Sequence, residues 1–408
     1  MSKRLTLFVV FIFICSFFVS AGWAKDKPNI KVGAAINLTG PISSWGQPHA
    51  KGQTDYFRYV NEEKGGVAGH KIEMILSDTG YKIPEAISIV KKFSIREKVD
   101  MISTWSTGEG IAVKPLIQKY KTPTINYSTG QEILKAPVDY MYLPFGSYIL
   151  DSYAVMEYIR AIIHKGKDAP KVGLLTLNNA YGQSIQGPSK EYASRHNIDI
   201  VAIEEFPART IDLSVELLKL KNKGAEYVFT QILGSNMIAA FKAADRIHYD
   251  PLFIGTWTAT DVDFFKTISK TGKGLIRNRL RMQSMAGLPV DGTPGVKLME
   301  KLIERYKSVD RYDLCYWEGI VIGMVMERAF LRADEKFGEI NPETVNKALE
   351  TFHDEDFGGL FPNITYTKKN HEGSFKGRIV AVNENGTFTP LTNFFVPGKG
   401  KIKLLEVE

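Results

Sequence analysis

At 408 residues, 44% of them hydrophobic and 24% charged, the chain has the make-up of a folded protein with sizeable cores, which excludes a disordered tail or a bundle of membrane spans. Its formal charge of +7 is dispersed in short clusters such as Lys91-Lys92 and Arg277-Asn-Arg-Leu-Arg281, which read as solvated surface and argue against nucleic acid as a partner. Two cysteines are too few for a disulfide framework.

Lys3 and Arg4 precede an apolar stretch from Leu5 to about Ser20 and then Ala21-Gly-Trp-Ala24, the layout of a cleavable secretion signal, with processing expected after Ala24. An uncleaved anchor is the alternative, but the stretch is shorter than the roughly 20 apolar residues a span needs. Cys15 follows Ile14, where a lipoprotein signal wants a small residue, so lipid attachment is not expected. Removing residues 1–24 from the 408 leaves about 384, enough for two lobes. Loss of Lys3 and Arg4 takes the charge from +7 to +5, and Cys315 is left without a partner, so stability must come from packing. No later stretch is long and apolar enough to cross a bilayer, and a secreted, periplasmic location is the expectation.

The first strand, Ile30-Lys-Val-Gly-Ala-Ala-Ile-Asn-Leu38, runs into the polar turn Thr39-Gly-Pro-Ile-Ser-Ser-Trp-Gly46. An apolar run of this kind reads as a buried parallel strand, and its carboxyl end is where open α/β sheets collect ligands. Further strands are expected at 71–77, 100–105, 124–127, 171–177, 198–204, 225–233 and 252–257. Helical patterns alternate with them, at 50–63, 84–93 and 111–120 in the first half. The repeated order implies α/β architecture, with parallel sheets and right-handed crossovers, and it runs twice, over 26–145 and again over 146–281. Helices are expected next at 294–309, 313–332 and 342–351. The stretch 363–408 reads as β-rich, with Asn383-Glu-Asn-Gly386 as a hairpin turn.

Signals for catalysis are weak. Gly182-Gln-Ser-Ile-Gln-Gly187 has one residue too many for a nucleophile elbow, so Ser184 reads as part of a helix start, and a secreted serine hydrolase stands only as a remote alternative. No phosphate loop or strict dinucleotide fingerprint is present, so no cofactor is expected. The histidines, among them His164, His196 and His248, lack ligand spacing, so no metal is expected either. The polar turns after strands say more. Trp105-Ser-Thr-Gly-Glu-Gly110 opens a helix, and its hydroxyls and backbone N–H groups, at Ser106 and Thr107 above all, suit a carboxylate. Simple N-capping is the other reading of that turn, and the two roles are compatible. A second turn, Asn126-Tyr-Ser-Thr-Gly130, could face the first.

The turn Leu38 to Gly46, the segment Val60-Asn-Glu-Glu-Lys-Gly-Gly-Val-Ala-Gly-His-Lys71, Ser77-Asp78 and Pro84-Glu-Ala86 resemble the start of the solute-binding proteins of branched-chain amino acid ABC importers. The resemblance continues at Asn178-Asn-Ala-Tyr-Gly182 and Asp212-Leu-Ser214 and covers nearly the whole mature chain. It implies a type I periplasmic binding protein: two Rossmann-like lobes joined by three hinge crossings, near Phe145, Arg281 and Pro362, with a ligand in the cleft and closure about the hinge. The lobes would be 26–145 with 282–362, and 146–281 with 363–408. The family binds the ligand carboxylate through a hydroxyl matching Thr107 and through groups matching Ser128, Thr129 and Gly130, next to Tyr127. Trp45 matches an aromatic wall and Tyr181 an aromatic from the second lobe. An inner-membrane ABC permease is the implied partner, and a monomer is expected.

One departure bears on the ligand. Amino-acid binders of this family have an acid after the strand that here reads Phe253-Ile-Gly-Thr-Trp257, where it neutralises the ligand ammonium, and this chain has Trp257. A desolvated ammonium without a counter-charge costs several kcal/mol. Glu109 and Asp261 are the nearest replacements, though each also reads as a surface or capping residue. Trp45, Trp105 and Trp257 all fall at or beside the expected cleft turns, which favours an aromatic or otherwise apolar carboxylate; the alternative for Trp105 and Trp257 is interlobe packing. Gln231 and Leu233 are expected on the opposite wall, and Trp317 in the core. The expected function is capture of such an acid for an ABC importer, with a branched-chain or other hydrophobic amino acid, or a ligand-sensing role beside a membrane receptor, as alternatives.

Overall fold

The computed structural model describes residues 27–271, 274–400 and 402–405; the expected signal at 1–24, with Cys15 and Trp23, lies outside the described residues. In chain order the strands are β1 (Ile30–Ile36), β2 (Ile72–Asp78), β3 (Met101–Thr104), β4 (Thr124–Asn126), β5 (Met141–Phe145), β6 (Lys171–Leu177), β7 (Asp199–Phe206), β8 (Tyr227–Gln231), β9 (Leu252–Gly255), β10 (Leu280–Ser284), β11 (Glu372–Ser374), β12 (Arg378–Val382) and β13 (Phe388–Pro390). They form two sheets. The first has the order β11-β5-β4-β3-β1-β2 and is parallel throughout; the second has the order β13-β12-β10-β9-β8-β6-β7 and is parallel except that β12 runs antiparallel to both its neighbours, β10 and β13. The α/β class with two mostly parallel sheets is that expected.

The central strands are wholly buried: every residue of β3 and every residue of β4 is covered, the polar Ser103, Thr104, Thr124 and Asn126 included, as sheets with helices on both faces require. The run-based reading finds these strands but passes over β5 and β10. Pro144 interrupts Met141-Tyr-Leu-Pro-Phe145, and Arg281 and Gln283 break the apolar run of β10. The first helix begins at Ser43, seven residues before the expected start, because Pro48 lies inside it and hides the pattern of its first turn. Asn383–Gly386 is the turn between β12 and β13, with Gly386 at φ 82°.

The chain passes between the sheets three times: after β5, after β10, and between Ser374 and Arg378. The third passage corrects the expectation of a crossing near Pro362. β11 pairs with β5 through Glu372↔Leu143 and Ser374↔Phe145, so the chain up to Ser374 is still held by the first sheet.

The returning helix Leu314–Phe337 lies against Ser43–Glu63 on the first-sheet side. A Cβ on Gly319 would stand 2.0 Å from the His49 carbonyl oxygen, so only glycine permits this approach, and it sets His49 beside Glu318. Trp317 is core as expected, stacked on Phe145 at 5.4 Å with its indole N–H donated to the Leu360 carbonyl.

Candidate functional site

The carboxyl ends of the two sheets face each other across a narrow cavity with about 20 Å³ open to the centres of water molecules, room for roughly one. Eight of the twelve expected site residues line it. Trp105, Ser106, Thr107, Tyr127 and Ser128 come from the turns after β3 and β4; Tyr181, Leu233 and Trp257 come from the turns after β6, β8 and β9. The other four stand outside the lining. Trp45 is fully buried against Trp105 and Trp257, at centroid distances of 6.2 and 5.9 Å. Thr129 is buried, and Gly130 leaves room for the Thr107 methyl. Gln231 accepts from Thr256 at 2.6 Å, and Thr256 meets Thr258, which does line the cavity.

Ser106 caps the helix Thr107–Tyr120, accepting the Glu109 N–H and donating to the Glu109 carboxylate at 2.7 Å. Thr107 follows in the first turn, where N–H groups have no partner within the helix. Its hydroxyl bonds to that of Ser128, and Ser128 bonds to the phenol of Tyr148 at 2.9 Å. Three hydroxyls thus converge at a helix N-terminus, each able to reorient toward an anion. Opposite, Asn179 caps the short helix Ala180–Gln183 and Gly182 lies flush on β6, its Cβ position 2.0 Å from the Leu177 carbonyl oxygen. This close seat turns Tyr181 toward the cavity, where its hydroxyl meets Thr258.

Neither acid expected as a substitute counter-charge lines the cavity. Glu109 is held by Ser106 and by Asn37 at 2.9 Å, and burial raises its proton affinity against those bonds. Asp261 caps the helix Val262–Thr271, accepting the Phe264 N–H at 2.7 Å, and its other oxygen accepts from Ser44 at 3.0 Å; burial pushes its carboxyl up to about 6. Ser44–Asp261 ties the two sides together, as do Gln131 Nε2 to the Ser184 carbonyl at 2.9 Å and Asn179 to the Tyr81 hydroxyl at 3.4 Å. The Ser184 hydroxyl donates to the Tyr181 carbonyl and accepts weakly from Gln231; no histidine bonds to it.

Other residues of the site gave no signal in the sequence. Ile42, Tyr81, Tyr148 and Thr258 complete the lining. Beneath it, on the first-sheet side, Glu318 Oε2 accepts the Trp105 indole N–H at 3.0 Å and contacts His49 Nδ1 at 3.3 Å. Burial pushes the Glu318 carboxyl well above its usual range and His49 down to about 3, disfavouring the charged form of each. On the other side Asp151, in the helix Tyr148–Tyr158, is buried beside the Trp257 indole; burial raises its carboxyl well above the ordinary range and the indole pulls it part of the way back. Trp257 packs edge-on against Tyr127 at 4.9 Å. Trp257 thus both packs across the cleft, on Trp45 and Tyr127, and lines the cavity, whereas Trp105 lines the cavity and makes its ring contact, with Trp45, on its own side. Among the described residues no group of three or more acids, histidines or cysteines could hold a metal ion, and no helix is long and apolar enough to cross a membrane.

Residues 29–387 match the family model described as periplasmic binding protein. The chain is 23% identical over 239 residues to the Leu/Ile/Val-binding protein homolog 7 of Brucella suis, a match covering 57% of this chain and 59% of that protein; the chain thus spans under two thirds of the relative's length. Its fold resembles a branched-chain amino acid ABC transporter protein from Thermus thermophilus with bound valine, with TM-score 0.81, 24% identity, and coverage of 92% of this chain and 98% of that one. It also resembles a fatty acid ABC transporter substrate-binding protein from Thermomonospora curvata, with TM-score 0.80, 19% identity, and coverage of 93% and 95%. With a family match over most of its length and the two-sheet cleft of those folds, the chain belongs to the periplasmic binding protein family.

Proposed function

We propose that the protein is the extracytoplasmic solute-binding component of an ABC importer, that it closes on a small hydrophobic or aromatic carboxylate, and that it presents this acid to a membrane permease. The observation that carries this reading is the hydroxyl chain Thr107–Ser128–Tyr148 at a helix N-terminus, in a cavity whose lining holds no acid and no base. Neutral donors at the positive end of a helix suit an anion, and a wall of Trp105, Tyr127 and Trp257 suits an apolar body. Burial raises the proton affinity of Glu318 and of Asp151, which disfavours a repelling charge behind the wall.

A second reading, an amino-acid ligand, draws support from Asp151, a buried carboxyl beside the Trp257 indole. The valine bound by the Thermus thermophilus neighbour points the same way. Against it, burial disfavours the charged form of Asp151, the form an ammonium would need.

Melting temperatures of the mature protein against leucine, phenylalanine, benzoate and short aliphatic acids separate the readings. A ligand at a thousand times its Kd stabilises by about 4 kcal/mol, a shift of several degrees. Benzoate or an aliphatic acid should raise the midpoint and leucine should not; a response to the amino acids alone would sink the carboxylate reading.

A further inference from the structure

We propose that Glu318 is a positioning residue for ligand choice: from behind the first-sheet wall its carboxyl fixes the Trp105 and Tyr127 rings in one arrangement, and this makes the cleft select a flat apolar body over a puckered one of similar size. The inference rests on the carboxylate reading above. Trp105 and Tyr127 both line the cavity, and Glu318, fully buried, stands behind them outside the lining. The Trp105 indole N–H donates to Glu318 Oε2 at 3.0 Å, and the Tyr127 hydroxyl is hydrogen-bonded to the same carboxyl. His49 Nδ1 lies 3.3 Å from Oε2, and the His49 ring packs edge-on against Tyr127 at 5.7 Å.

The outer torsion of an aromatic side chain has a broad, soft well. A bond to the indole N–H, which lies off that axis, fixes the tilt of Trp105; a bond to the Tyr127 hydroxyl, at the tip of its ring, fixes where that ring stands. Both bonds end on one carboxyl inside the helix Leu314–Phe337, seated by the close approach at Gly319, so the two rings are set relative to each other. From the other side Trp257 closes edge-on against Tyr127 at 4.9 Å, and the slot between the walls takes its width from where Tyr127 stands. The second side repeats the device, with Asp151 bonded to the Trp257 indole. A planar ring suits a slot of fixed width, and a saturated ring is thicker. Wall groups held by hydrogen bonds from behind lose little freedom when a ligand arrives, so the preference survives as binding energy.

Calorimetric Kd values for benzoate and cyclohexanecarboxylate test this on the mature protein. Wild type should bind benzoate at least roughly tenfold tighter. Glu318→Gln, whose amide can still accept from Trp105 and donate to Tyr127, should keep that preference. Glu318→Met has similar length and makes neither bond; it should cut the preference to roughly threefold or less, chiefly by weakening benzoate. Tyr127→Phe, which loses one bond and leaves the carboxyl in place, should fall between, and it carries the test if the melting curve shows Glu318→Met unfolded. In protein labelled with 5-fluorotryptophan, the Trp105 fluorine line, assigned with Trp105→Phe, should be narrow in wild type and Glu318→Gln and broad or split in Glu318→Met. A wild type without the benzoate preference, a preference unchanged in both Glu318→Met and Tyr127→Phe, or a loss in Glu318→Gln as large as in Glu318→Met would each overturn the proposal and leave the carboxylate reading standing. If neither ring acid binds, the proposal falls; binding of butyrate then keeps the carboxylate reading, and a response to leucine alone sinks it.

Discussion

Ser44 and Asp261, 217 positions apart in sequence, meet across the cleft, the serine hydroxyl donating to the carboxylate at 3.0 Å. The bond joins the start of a first-sheet helix to the cap of a second-sheet helix, so it forms only when the two sides are together. Ser44→Ala should favour the open form and weaken ligand binding by about 1 kcal/mol, roughly fivefold. Small-angle scattering of the unliganded variant should give a larger radius of gyration than wild type. An unchanged radius and Kd would mean that the bond does not bias closure.

The same carboxyl gives a pH signature. Burial lifts Asp261 from 3.8 to about 6. A folded-state pKa above the unfolded value means stability that is fully present below about 4 and is lost as pH rises through about 6, on the order of 2–3 kcal/mol in all. Asp261→Asn keeps a capping side chain and cannot ionise. Urea unfolding from pH 4 to 7 should show the variant gaining on wild type across that window; parallel profiles would count against the raised pKa.

Thr107→Val keeps the shape of the side chain and deletes the hydroxyl that meets Ser128. Affinity for the carboxylate ligand should fall about tenfold, the worth of one hydrogen bond to a charged group. Calorimetry on the variant, with its unliganded melting curve as the folding control, would read this. Undiminished affinity would remove Thr107 from the cradle.

Trp257→Glu would place an acid after β9. Leucine binding should appear in the variant, and affinity for aromatic acids should drop more than tenfold, because a wall ring is lost and a repelling charge gained. Binding profiles unchanged from wild type would show that this position does not set the choice between acids and amino acids.

Gly182→Ala should cost roughly 1–3 kcal/mol and lower the melting midpoint by a few degrees, since its Cβ would stand 2.0 Å from the Leu177 carbonyl oxygen and the turn would have to lift off β6. Ligand affinity should fall as well, because the same shift displaces Tyr181. A variant as stable as wild type would show that the turn has more slack than the close packing implies.

The walls of the cleft were legible because they lie where an apolar run ends in a polar turn: Trp105 to Thr107 after β3, Tyr127 and Ser128 after β4, and Tyr181, Leu233 and Trp257 after β6, β8 and β9. Position in an α/β sheet is written locally, in a handful of residues. Tyr148 and Asp151 escaped because the strand before them carries Pro144, which blurs β5 and the crossing that follows. Glu318 and His49 escaped for a different reason. Each sits inside a long helix, where one polar residue looks like any other until Gly319 lets the two helices touch. Of the two acids named as possible counter-charges, Asp261 caps a helix, the plainer of its readings, and Glu109 is bonded to the Ser106 cap of its own helix.

Ser374 is paired with Phe145 in one sheet, and Arg378, four residues later, is paired with Ser284 in the other. This short stretch therefore runs beside both other passages, and the three make one narrow spine. Swinging apart leaves all three strands attached, whereas sliding or twisting one half against the other would pull at the pairings on both sides. Any opening of the two halves would thus follow something near a single axis of rotation, and closing would bring the same groups opposite one another. Fidelity of recognition in such a protein is set partly at a place that never touches the ligand.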